Sequence, residues 1–187
     1  MEPISKIFDF LKDSNLTVIG YKFQDERTKD EFISKIPCIE IFEFDSSFSV
    51  MAALKQKVRE RKIGSVLDGE DFSRPEFLVV DLAGFRYKSD EVISISKEIS
   101  NLVEEMRSHT IGTEYRLIVL SPVNSNPSGE VPSFRGGSRS LYAADLVYVI
   151  EGRKINIVKN RFDGDNISVS LDGLKDYKYI CSYENNK

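Results

Sequence analysis

The residues best suited to chemistry in this chain are an aspartate near the end of an apolar run, Phe77 to Leu82 (FLVVDL), and a segment near the front, Gly20-Tyr21-Lys22-Phe23-Gln24-Asp25-Glu26-Arg27-Thr28. A buried strand that ends in a carboxylate can hold a magnesium ion, through water, beside bound phosphates, and Asp81 has that position. The plainer reading is that Asp81 only ends its strand before the Leu82-Ala83-Gly84 turn. A phosphate cradle needs glycines whose backbone N–H groups close around the anion, and a lysine to meet the outer phosphates. Gly20 to Thr28 offers one glycine, with Asp25, Glu26 and Arg27 at its centre. Asp25 and Arg27 also suit the solvated first turn of a helix.

Further along, Lys159 and Arg161 share a parity on one strand, which fits either a functional pair or an exposed edge guarded by charge. Arg135 and Arg139 lie in a Gly/Ser-rich stretch and could touch a nucleic-acid backbone. The only histidine, His109, falls at a helix end where its charge suits the dipole, so a histidine triad or multi-histidine metal site has no support. Cys38 and Cys181 lie far apart without C-x-x-C spacing, which argues against a disulfide framework or zinc site and reads as buried or incidental thiols.

The elements that must position these residues follow from periodicity. Ile4 to Leu11 reads as a helix, Leu16 to Gly20 (LTVIG) as a strand, and Asp25 to Lys35 as helix-compatible. Cys38 to Phe44 alternates apolar and acidic residues like a half-exposed strand. Val50, Leu54 and Val58 make Ser49 to Arg61 an amphipathic helix, with Gly64 to Arg74 a loop and Asp45 a candidate helix cap. FLVVDL and Tyr115 to Leu120 (YRLIVL) have the unbroken apolar character of strands covered on both faces, with a helix over Ser89 to Ser108 between them. Ser121 to Ser140, rich in Pro, Ser, Asn and Gly, reads as a mobile loop. Asp145 to Ile150, Lys154 to Asn160 and Asn166 to Leu171 form three strands joined by tight turns. Such alternation predicts an α/β fold: a mostly parallel sheet flanked by helices, with an antiparallel extension at its C-terminal edge.

At 187 residues, 41% hydrophobic and 30% charged, the chain suits one well-cored domain over 1–187, with a core from about 14 to 173 and a tail beyond it. No apolar run approaches the roughly 20 residues that cross a bilayer, and Glu2 and Asp9 do not suit a secretory leader, so the expected place is the cytoplasm. A net charge of -4 argues against strong nucleic-acid binding by bulk electrostatics.

In order and spacing, these features resemble the motor domain of DnaB-type hexameric replicative helicases and their relatives in the RecA superfamily. The resemblance is carried by the strand ending in Asp81, the strand ending in Ser121, Arg135-Gly136-Gly137-Ser138, Ala144-Asp145-Leu146-Val147, and Lys159-Asn160-Arg161. It is good from Phe77 to Leu171 and fainter from Leu16 to Arg61. It implies a RecA-like sheet in which Asp81 is the Walker B aspartate and metal ligand. Asp45 takes the place of the catalytic glutamate, one methylene shorter. Arg161 becomes an arginine finger that reaches a neighbouring subunit's nucleotide, with Lys159 its companion. Gly20, Arg27 and Thr28 occupy the nucleotide-binding loop, but Glu26-Arg27-Thr28 stands where Gly-Lys-Thr belongs, and Pro122 replaces a sensor glutamine.

The resemblance with these departures implies a degenerate ATPase-fold protein that binds other proteins in DNA replication or recombination, with no cofactor. Its partner would be a helicase or recombinase subunit, or a second copy. The alternatives are an active ATPase using ATP and Mg²⁺ through an unorthodox loop, or a single-stranded DNA-binding module.

Overall fold

The computed structural model describes residues 3–36, 39–43, 52–56, 76–83, 97–104, 107, 115–124, 133–134, 138–162 and 167–175. Helix α1 (Pro3–Asp13) aligns Ile4, Ile7, Phe8 and Leu11 on one buried stripe. Pro3 opens it where a missing N–H breaks no helical bond. Strand β1 (Leu16–Tyr21), buried at every position, leads through a 3-10 turn (Phe23–Asp25) into α2 (Glu26–Ile33). Then come β2 (Ile39–Glu43), helical residues 52–56 (α3), β3 (Glu76–Asp81) and helical residues 97–104 (α4). The remainder is β4 (Tyr115–Asn124), β5 (Ser133–Phe134), α5 (Ser138–Ala143), β6 (Leu146–Glu151), β7 (Lys154–Asn160), β8 (Ser168–Ser170) and a 3-10 turn over Asp172–Lys175.

The strands form an eight-stranded sheet in the order β2-β3-β4-β1-β6-β7-β8, with β5 paired to β4 off this path. The run from β2 to β6 is parallel, and β7 and β8 are added antiparallel. Right-handed crossovers decide which face each connection covers. The chain leaves β1 for the far edge and walks back through β2, β3 and β4. The helix after β1 therefore lies on the opposite face from the helices that follow.

The two cores show this division. Ile7 and Phe8 of α1 and Phe32 and Ile33 of α2 pack on Ile19, Val79, Ile118 and Tyr148. On the other face, Leu54, Ile99, Leu102 and Val103 pack on Val18, Leu78, Val119 and Val147, with Leu141 and Ala143 of α5 beside them. The Tyr148 hydroxyl donates to the Ile7 carbonyl at 3.0 Å and fixes α1 to the sheet. Because the crossovers after β1 and β4 go to opposite faces, a crevice opens between the carboxyl ends of these neighbouring strands, where open α/β sheets take ligands.

The α/β architecture, the parallel core and the antiparallel extension match the sequence reading. The stretch from Ser121 differs: β4 continues through Asn124, Ser133–Phe134 adds a strand, and Ser138–Ala143 is helical. Pro122 lies past the point where β3 has ended, a position that tolerates the missing N–H. Asp45, Arg135, Cys38, His109, Cys181 and the loop at 64–74 lie outside the described residues.

A bulge re-aims the end of β7. Tyr148 pairs with Ile157 but Val147 pairs with Lys159, so Val158 is an extra residue. Ile155 and Ile157 face the core of α1 and α2, whereas Lys159 faces the side of Val147 and α5. With the same residues in a regular ladder and no bulge, Lys159 and Arg161 would point to the same apolar face as the isoleucines. Deleting Val158 sets Lys159 directly after Ile157, so both cations keep their present face, and the deletion should cost no more than about 1 kcal/mol. Urea unfolding followed by circular dichroism measures it, and a loss of about 3 kcal/mol or more, the cost of stripping the cations from a buried carboxylate, would show that the regular ladder does not hold them on that face.

Candidate functional site

At the carboxyl ends of the parallel strands, Asp81 faces the side of the sheet covered by α2. Its Oδ2 accepts from Lys29 Nζ at 3.1 Å, and its Oδ1 accepts from the Tyr21 hydroxyl at 3.2 Å and from the Ala83 N–H at 2.8 Å. The Lys29 ammonium, with only 5% of its side chain exposed, also lies 3.2 Å from Asp30, 3.9 Å from Glu26 and 4.5 Å from the centroid of the Tyr21 ring. A cation over an aromatic face gains from the ring quadrupole, so Tyr21 holds this charge from a second direction. Burial, the largest single influence, would weaken the ammonium, but the Asp81 and Asp30 carboxylates together outweigh it and the Lys29 pKa rises. Burial, reinforced by the Asp81 charge and hydrogen bond, likewise pushes the Tyr21 phenol up.

The connection from β1 to α2 is short: Lys22, in extended backbone, then one 3-10 turn. Among the described residues the glycine with positive φ is Gly152, in the β6–β7 turn, so this connection has no glycine in the left-handed region from which anion nests are built. Gly20 matters for a different reason. A Cβ there would lie 2.5 Å from Phe134 Cε1 and 2.8 Å from Val123 Cγ1, so the close approach serves side chains that fill the crevice. Arg27 is exposed and Thr28 half-buried in the first turn of α2. Asp25 departs from the solvated reading: it is buried, makes no cap bond to α2, and its Oδ2 has no hydrogen-bond partner.

A second charged group forms at the other end of the sheet. The end of β7 pairs with the start of β6, so Lys159 and Arg161 sit at the amino ends of the parallel strands, opposite the crevice. Asp145, buried at the start of β6, accepts at Oδ2 from the N–H groups of Asn15 (2.9 Å) and Leu16 (3.4 Å). Its Oδ1 accepts from Arg107 at 2.7 Å and Arg161 at 3.1 Å. Lys159 donates to the carbonyls of Leu141 and Tyr142, and Arg161 to that of Tyr142, so both cap the C-terminus of α5. Burial and the neighbouring Arg161 lower the Lys159 pKa. These contacts replace the exposed-edge reading of the pair. Arg139 lies on α5.

Of the residues singled out from the sequence, Asp81 and Gly20 both lie at the carboxyl ends of parallel strands but face opposite ways, Asp81 towards α2 and Gly20 towards Phe134 and Val123, while Lys159 and Arg161 share one cluster with the C-terminus of α5. Sequence reasoning missed Lys29, Tyr21 and Arg107. An ammonium one turn into the helix after β1 was a signal for Lys29, but nothing in the sequence ties it to Asp81.

The chain matches no protein-family model and no curated protein sequence. Among solved structures it is similar to a DnaB-like replicative helicase, described with its interactions with primase, at a TM-score of 0.55 and 11% identity over 83% of this chain. The match spans 54% of that helicase chain, so this protein corresponds to about half of it. The RadB recombinase aligns at a TM-score of 0.44 and 15% identity, over 83% of this chain and 86% of that one. The fold is RecA-like.

Lys29→Met should destabilise the chain by about 3 kcal/mol, since it leaves a largely buried carboxylate without its cation. Tyr21 and Lys29 both hold their protons more tightly when folded than at their ordinary values of 10.0 and 10.5. Their stabilisation is therefore complete below about pH 10 and is lost as pH rises through the raised folded values. Urea midpoints measured from about pH 8 to about pH 11 should fall more gently for Tyr21→Phe than for the parent. Identical slopes would remove Tyr21 from this account.

Proposed function

We propose that this chain is a RecA/DnaB-like ATPase-fold protein that does not hydrolyse ATP and acts as a protein-binding accessory or regulator in DNA replication or recombination. The observation that carries the reading is the Lys29 ammonium on Asp81. In a working motor an aspartate at this strand end serves magnesium beside phosphate. Here the chain supplies the positive charge itself, and the tyrosine hydroxyl and an amide take the other oxygen.

The residues do not fit a magnesium triphosphate. Asp81 has no oxygen left without a donor, Phe134 and Val123 stand against Gly20, and Asp25, Glu26 and Asp30 would repel phosphate oxygens. Arg27 is a rigid fork rather than the compact ammonium of a phosphate-binding loop.

Arg161 supports the docking half of the proposal. It lies at the opposite end of the sheet from its own crevice, so it would serve a neighbour, presented to or withheld from a motor subunit or a second copy. Tyr142 and Phe162, which flank it, are 76% and 47% exposed. Exposed aromatics beside an arginine have the composition of interface hot spots.

The test pairs turnover with binding. Radiolabelled ATP should show no hydrolysis above background, and Mg²⁺ with about 1 mM nucleotide should leave the thermal midpoint unmoved. Turnover that disappears in Asp81→Ala would replace this reading with an active ATPase.

A further inference from the structure

Arg161 and Arg107 share one oxygen, Asp145 Oδ1, but hold it unequally. Arg107 approaches to 2.7 Å, donates also to the Ala143 carbonyl and to Glu104, and is 22% exposed. Arg161 lies at 3.1 Å, spends one further donor on the Tyr142 carbonyl, and is 48% exposed. Asp145 is buried and needs a cation, and its Oδ2 is occupied by backbone amides. If Arg161 leaves, Arg107 still neutralises Asp145. If Arg107 leaves, the carboxylate depends on a half-exposed side chain at a longer distance.

The backbone under Arg161 is held by bonds that do not involve its guanidinium. Its N–H donates to the Asp145 carbonyl at 3.0 Å, and the next N–H, of Phe162, donates to Asn160 Oδ1 at 3.0 Å. A side chain can therefore swing without the strand end moving.

From this we infer that Arg161 is a two-position contact, closed on Asp145 in the free chain and open to an oxyanion on a partner, with Arg107 the positioning residue that keeps Asp145 satisfied in both. The inference extends the docking role proposed above. Its test needs no partner and no nucleotide, so it can fail while that role stands, and the reverse.

Urea unfolding of the full chain, Arg161→Gln, Arg107→Gln and the double variant measures the asymmetry. Arg161→Gln should lower the midpoint by less than about a third of the drop for Arg107→Gln, and the double variant should lose more than the two drops together. Equal drops, or simple additivity, would overturn the inference. Should Arg107→Gln not fold, the side-chain Nε–H signals of the parent decide by NMR relaxation. Arg161 should be the more mobile of the two, and inorganic pyrophosphate should shift its signal while leaving that of Arg107 in place. An Arg161 as rigid as Arg107, or unmoved by pyrophosphate, overturns it equally.

Discussion

A carboxylate at the end of a buried strand must have its charge met, and in this chain that requirement is answered from within by Lys29. The consequence spreads outward. To bring the ammonium to Asp81, α2 must begin almost directly after β1, which leaves room for a single 3-10 turn between them. To bury that ammonium, Tyr21 must turn its ring beneath it and its hydroxyl to the same carboxylate. The arrangement is satisfied without any outside group, so the end of the sheet that other open α/β folds devote to ligands is here part of the scaffold.

The opposite end follows a similar rule with a different outcome. Asp145 gathers the start of β1, the helix that carries Arg107, the end of α5 and the end of β7 around one buried charge. Here the cations exceed what the carboxylate needs, and one of them reaches half into solvent. A self-contained crevice and a cation-rich far corner together make a molecule whose polar resources face outward at the corner and inward at the crevice.

Much of the fold was legible because strands covered on both faces leave unbroken apolar runs: LTVIG, FLVVDL and YRLIVL each became a parallel strand. The tight turn at Gly152, with φ of 57°, was equally plain from its flanking strands. What the sequence concealed depends on pairing across distance. Lys29, between Thr28 and Asp30, looks like any solvated helical charge until a carboxylate 52 residues away is placed beside it. The parity of Lys159 and Arg161 could be read, but not their face, because a bulge is a property of two strands and not of one. The extension of β4 past Pro122 was hidden for the same reason, since only the early end of β3 makes proline harmless there.

Helix α2 is gripped on two sides by ion pairs of unlike exposure. On its inner side Lys29 meets Asp81 with 5% and 18% of their side chains exposed, while on its outer side Glu31 meets Arg153 of the β6–β7 turn at 2.8 Å with 23% and 41% exposed. Dissolved salt screens exposed charges far more than enclosed ones. Rising ionic strength therefore loosens the helix from the hairpin before it touches the crevice, and a single rod of backbone carries one ionic fastening tuned to its surroundings and another indifferent to them.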